Sequence, residues 1–214
     1  MGKLKYLIWS IFRKFGLGPL LLRMHPKSAL VQLGWFKSFR GHIPIDNKME
    51  PVPWWAYSAI HFIEERLSDS FRVLEFGCGN STVWLSERVK DVISIEFDSV
   101  WAERIASIVP KNTKIIVTKS SRKFLAEDHD KLGKFQVLII DAGNRLEIAT
   151  NASTFISDDG VVLYDDSNSQ DWLDLRNLMA QNGFKEISFL GMGPQDIVLC
   201  RTTIFYRQHN CLGI

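Results

Sequence analysis

The residues best suited to chemistry are gathered in Val73-Leu74-Glu75-Phe76-Gly77-Cys78-Gly79-Asn80-Ser81-Thr82. An apolar run ends in an acid, and the Gly-x-Gly after it lets ligand atoms approach the backbone closely. Asn80 or Ser81, both favourable N-caps, would open the next helix. A second run, Val92-Ile93-Ser94-Ile95-Glu96, also ends in an acid. A carboxylate there can accept hydrogen bonds from both hydroxyls of a ribose, which points to a nucleoside cofactor. A dinucleotide would want a third glycine at position 82 and a pyrophosphate on the helix N-terminus. Position 82 is Thr, and Glu75 would repel a pyrophosphate. A cofactor with positive charge and an amino group has the opposite preference. The plainer alternative is a ligand-free glycine turn, which leaves the concurrence of Gly-x-Gly with two strand-end acids unexplained.

Ligands of parallel sheets lie beyond the carboxyl ends of the strands. Asp141 closes Val137-Leu138-Ile139-Ile140-Asp141, and Asp165-Asp166-Ser167-Asn168 follows the next apolar run. One reading gives these groups a hard cation such as Mg²⁺, which carboxylates and amide oxygens suit. The preferred reading makes Asp141 a general base or substrate orienter, with Asp165 and Asp166 binding substrate hydroxyls or capping a helix. A third leaves Asp166 and Ser167 as loop and capping residues only. Arg145 would open a helix on the same cleft and pair with Asp141 or an anionic substrate, or else stand on the surface. His61, on the helix before the first strand, reads as packing. Cys78 reads as a small residue in a tight loop, not a nucleophile. Trp54 and Trp55 form either a lid or a packing pair. The aromatic-basic run Gly34-Trp35-Phe36-Lys37-Ser38-Phe39-Arg40 either binds an acidic partner or packs.

Short β-rich runs alternating with helical stretches must position these groups. Strands are expected at 72–76, 92–96, 114–118, 136–141 and 160–164. Helices are expected at 54–67, from 81, near 100–109, from 146 and near 172–181. Such alternation implies a parallel sheet with right-handed crossovers. Runs 185–190 and 198–207 have too few residues between them for a crossover, so they form an antiparallel hairpin on the sheet edge. Residues 3–15 place Leu4, Leu7, Ile8, Ile11 and Phe15 at helical spacing, and residues 20–50 read as irregular.

The 214 residues suffice for one domain with its own core. Net charge is +2 overall, but residues 1–48 hold nine Lys/Arg and one Asp, and the rest of the chain is acidic. The division expected is a basic N-terminal extension over 1–50 and a cofactor-binding domain over 51–214. Three cysteines, an odd count without metal spacing, suggest a reducing compartment and a cytoplasmic protein. The apolar stretch 7–12 is interrupted by Arg13-Lys14, so a secretory signal is not expected.

From about Pro53 to Arg207 the chain resembles the class I S-adenosylmethionine (SAM)-dependent methyltransferases, on its acid-x-Gly-x-Gly turn, Glu96 and closing hairpin. The resemblance implies a Rossmann-like α/β fold with a seven-stranded, mostly parallel sheet. It also implies that Gly77, Cys78, Gly79 and Asn80 flank the methionine part of SAM and that Glu75 lies near its ammonium. Glu96 would bind the ribose and Phe97 lie against the adenine. Ser120 would stand where the family often has an acid or amide facing the adenine. Metal-dependent catechol-type relatives use an Asp after strand four and an Asp-Asn pair after strand five; here Asn168 is displaced by two, so Mg²⁺ is not favoured. On Gly34-Trp35, Pro53-Trp54, Asp141-x-Gly143-x-Arg145 and Gly191-Met192-Gly193-Pro194 the chain is similar to a subgroup of small bacterial-type methyltransferases. That likeness implies SAM binding, with O-methylation of a small molecule or glycan hydroxyl the reading taken, while the strand-end positions make Asp141 and Asp166 the catalytic candidates. An NAD-dependent oxidoreductase and a non-catalytic SAM-fold module at a membrane are the alternatives. The helix of residues 3–15, an apolar stripe flanked by basic side chains, either packs on the domain as a cover for the cofactor cleft or contacts an anionic lipid surface at the inner membrane face, which it suits better than nucleic acid.

Overall fold

Parallel strands need crossovers that return the chain to the same end of the sheet, and helices between the strands supply them. The computed structural model describes residues 3–127, 129–168 and 172–214. Its strands are β1 (Arg72–Phe76), β2 (Asp91–Glu96), β3 (Thr113–Val117), β4 (Phe135–Ile140), β5 (Ile156–Tyr164), β6 (Lys185–Gly191) and β7 (Cys200–Tyr206). They form one sheet in the order β3-β2-β1-β4-β5-β7-β6. β1 to β5 are mutually parallel, and β7 lies antiparallel between β5 and the edge strand β6. The chain therefore has the mostly parallel, hairpin-closed sheet that its pattern predicts. β5 begins at Ile156, earlier than the expected Gly160, because Ile156 pairs with Phe135 across a register shift.

Side chains alternate across a strand, and both faces of this sheet are covered. Leu74, Phe76, Leu138, Ile140, Val162 and Tyr164 enter one core. Val73, Val137, Ile139, Val161 and Leu163 enter the other.

Helices α1 (Lys3–Lys14), α2 (Gly18–Met24), α3 (Ala29–Gln32) and α4 (Trp35–Gly41) precede the sheet. Residues 20–50 are thus not irregular: three helices too short to show a clear period occupy much of them. α5 (Tyr57–Glu64) is shorter than the expected 54–67, because the preceding segment stays outside the helix and packs across the domain. Between and after the strands come α6 (Asn80–Ser86), α7 (Ser99–Ala106), α8 (Ser121–Leu125), α9 (Arg145–Thr150), α10 (Ala152–Phe155) and α11 (Trp172–Gln181). Among the described residues, no helix is long and apolar enough to cross a membrane.

The expected boundary at residue 50 does not separate the extension from the domain. Ser38 is fully buried and bonds both the N–H and the carbonyl of Ile45. Gly34 adopts φ +76°, and a Cβ there would stand 2.3 Å from the Asp46 carbonyl carbon, so α4 lies directly on the following turn. The indole N–H of Trp35 donates to the Asp196 carbonyl at 2.8 Å, and Asn80 Nδ2 donates to the Pro44 carbonyl at 2.5 Å. Farther out, Leu7, Ile11 and Phe15 are 59, 45 and 66% exposed. The side chains of Leu4 and Ile8, also part of the expected stripe, lie outside the described residues.

Candidate active site

The site is built on the turn after β1. Gly77 has φ +96°, and a Cβ there would lie 2.2 Å from the Asp141 carbonyl oxygen. Only glycine lets this turn rest against the end of β4. Thr82, where a dinucleotide fold would have glycine, has a constructive role. Its hydroxyl accepts from the Gly79 N–H at 2.9 Å and donates to Glu75.

Glu75 corrects one expectation. Its carboxylate is fully buried beneath the turn, where Ser81 and Ser94 donate to it at 2.5 and 2.6 Å alongside Thr82. It braces β1, β2 and α6, and it does not line the cleft where an ammonium would lie. Burial drives its carboxyl up to about 7, against the opposing pull of the three hydroxyls.

Glu96 has a different environment. Oε2 accepts from the Cys78 N–H at 2.9 Å, and Oε1 accepts from the N–H groups of Phe97 and Asp98 at 2.7 and 3.0 Å. These bonds fix the carboxylate at the wall of a cleft of about 640 Å³, within the range of small-molecule sites. Gly77, Cys78, Gly79, Asn80, Phe97 and Asp141 also line it. The Cys78 thiol is pushed far above its ordinary range by burial and then by Glu96, so it stays protonated.

Ser120 does not join them. It caps α8 by accepting from the Lys123 N–H and lines a separate hollow with Arg122, Asn144 and Glu147. Trp101 is a lining residue that sequence reasoning missed; its indole donates to the Cys78 carbonyl at 2.6 Å. Its position in the first turn of α7 was the available signal. Gly41, His42, Ile43, Pro44 and Gln195 also line the cleft, from segments too distant in the chain for any motif to connect.

The two tryptophans divide the roles considered for them. Trp55 is fully buried in the core, while Trp54 is half exposed, lines the cleft and donates from its indole to Asp196 Oδ1 at 2.8 Å. His61 is neither packed nor in the cleft: its side chain is 77% exposed beside Glu65. The aromatic run of α4 packs on itself, with Trp35 stacked on Phe39.

At the ends of β4 and β5 stand three acids and one cation. Carboxylate oxygens of Asp141, Asp165 and Asp166 lie within 4.8 Å of one another. Arg145 Nη2 reaches Asp166 at 2.9 Å and Asp141 at 3.5 Å. Asp165 is buried and accepts from Thr202 Oγ1 at 2.6 Å, and burial and then Asp141 push its carboxyl well above the ordinary range. Burial also raises Asp141 to about 6, with Asp166 adding to the rise and Arg145 opposing it. The Trp55 indole N–H faces Asp141 without reaching hydrogen-bond geometry. Asp166 is exposed at φ +54°, and Ser167 bonds Arg201 and Thr203 of β7.

This strand order, with a glycine turn and an acid at the carboxyl ends of β1 and β2, is the class I SAM-dependent methyltransferase fold. No protein-family model and no curated protein sequence matches the chain. Solved structures do. The O-methyltransferase TomG from Streptomyces achromogenes, in complex with SAM, is 20% identical over 68% of this chain and 77% of that one, with TM-score 0.56. The N-methyltransferase NodS from Bradyrhizobium japonicum is 14% identical over 70% and 92%, with TM-score 0.54. An rRNA methylase from Streptococcus thermophilus is 16% identical over 71% and 96%, with TM-score 0.54. Their names span oxygen, nitrogen and RNA, so the shared fold leaves the acceptor open.

Proposed function

We propose that the chain is a SAM-dependent methyltransferase that methylates a hydroxyl of a small molecule or glycan. The observation that carries this reading is Glu96, fixed by three backbone N–H groups at the wall of a 640 Å³ cleft beside the Gly77-Cys78-Gly79 turn. SAM supplies an electrophilic methyl on a sulfonium. The chain's own part is to align the acceptor and exclude water. Glu96 accepts from the ribose hydroxyls, Phe97 and Trp101 offer aromatic surface to the adenine, and the turn approaches the methionine part. Asp141, half-buried and titrating near 6, takes the acceptor hydroxyl proton at neutral pH. Arg145 and Asp166 orient Asp141 from its open side.

The three-acid group has the donor chemistry for Mg²⁺, but the Arg145 guanidinium already meets two of its carboxylates, which favours the metal-free reading. Turnover in excess chelator should therefore match turnover without it; loss of activity would put a cation among these acids. The protein is expected in the cytoplasm, with α1 resting on the inner membrane face and no nucleic-acid partner.

Calorimetry with SAM and with NAD tests the cofactor. SAM should bind and NAD should not. Glu96→Ala should lose roughly 2–4 kcal/mol of SAM affinity, the cost of removing charge-assisted hydrogen bonds. Equal affinity in the variant would remove the ribose from this site and the methyltransferase reading with it.

A further inference from the structure

Three consecutive apolar side chains at the tip of the β6–β7 hairpin, Ile197, Val198 and Leu199, are 75, 69 and 59% exposed. The cofactor site makes no use of them, yet their loop is built into its rim. Gln195 lines the cleft, and the indoles of Trp35 and Trp54 grip Asp196 through its carbonyl and its carboxylate. Trp35 opens α4, whose far end leads into the lining residues Gly41 to Pro44 and whose near end receives α1–α3. The loop of the exposed tip is thus joined by one hydrogen bond to α4, the helix that follows the arm. Along the arm Tyr6, Leu7, Phe15, Leu22 and Met24 are also exposed.

An exposed apolar tip tied through Trp35 to α4, which the arm with its own exposed apolar side chains precedes in the chain, marks an interaction surface. Charge selects the partner. Residues 1–48 hold nine Lys/Arg against one Asp, so headgroups of an anionic bilayer attract the basic side chains while acyl chains receive the apolar ones. We infer that the hairpin tip is a second lipid-contact site, and that with the arm it seats the rim of the cleft on an anionic bilayer. This rests on the membrane reading of the arm and adds to it a separate element of the fold.

Full-length protein is to be sedimented with vesicles of phosphatidylcholine and phosphatidylglycerol at low and high salt, beside the triple variant Ile197→Ser, Val198→Ser, Leu199→Ser. All three side chains point into solvent, so the variant should keep the parent's SAM affinity by calorimetry. The expected result is salt-sensitive sedimentation of the parent and a loss of roughly tenfold or more in vesicle partitioning for the variant. Hydrogen exchange at residues 196–199 should slow when vesicles are added. A variant that partitions as the parent does, with exchange at the tip unchanged, overturns the tip contact and leaves the arm reading standing. A parent that stays in the supernatant overturns both. Neither result bears on SAM binding, which the calorimetry reads independently.

Discussion

Glu75 and Glu96 are chemically alike and stand at the carboxyl-end halves of neighbouring strands, yet the fold gives them opposite environments. Glu96 meets three backbone N–H groups at a cleft wall. Glu75 meets three hydroxyls in a fully buried position. Hydroxyls can donate to a carboxylate or accept from a carboxyl, so they tolerate either protonation state, and desolvation decides in favour of the neutral one. A carboxyl raised from about 4.5 to about 7 on folding stabilises the protein fully below the unfolded value. That contribution is lost as pH rises through about 7. The amount at stake is on the order of 3 kcal/mol. Asp141 and Asp165, both raised, act in the same direction. The melting temperature should therefore fall between pH 5 and pH 8. Glu75→Gln keeps the shape, removes the ionisation, and should flatten that fall and melt higher than the parent at pH 8. Differential scanning calorimetry across this range is the check; parallel curves for parent and variant would mean that folding does not raise the Glu75 carboxyl above its unfolded value.

The elements differ in how openly the sequence shows them. β1 falls where its apolar run lies, and β2, β3 and β4 start within one residue of theirs, because buried parallel strands are nearly continuous runs of β-branched and large apolar residues. The polar Ser157-Asp158-Asp159 hides the first half of β5. α2, α3, α4 and α8 are four to seven residues long, too short for a 3.6-residue period to emerge. The same limit governs the site. Gly77, Glu96 and Asp141 were legible because strand ends define the ligand face, whereas the lining at residues 41–44 and Gln195 depends on tertiary contacts. Those contacts give the covering elements a testable hinge point. Trp35→Phe keeps the ring that stacks on Phe39 but removes the donor to the Asp196 carbonyl. A net hydrogen bond of about 0.5–1.5 kcal/mol predicts SAM dissociation faster by roughly two- to twelvefold, read by stopped-flow fluorescence. An unchanged rate would show that α4 and the hairpin loop close independently of this bond.

At the scale of the whole molecule, the question is where the exposed arm ends and the body built on the sheet begins. Charge places the break near residue 48, but packing places it earlier. Ser28 caps α3 by accepting from the Val31 N–H, and from Gly34 onward the chain is tied to the domain through the Gly34 turn, Ser38, Ile45 and the Pro44–Asn80 hydrogen bond. Among the described residues, both hydrophobic cores draw only on residues from Val52 onward. Two truncations separate these boundaries. A chain starting at Ser28 should melt within a few degrees of the full-length protein and bind SAM as tightly. A chain starting at Lys48 loses buried Ile45, worth about 1.5–3 kcal/mol, together with the Ser38 hydrogen bonds and one wall of the cleft. It should melt several degrees lower and bind SAM at least tenfold more weakly. Calorimetry on the three chains distinguishes the cases. Full SAM affinity in the shortest chain would show that residues 41–44 only shield the cleft, and a large loss in the chain starting at Ser28 would make the arm part of the fold.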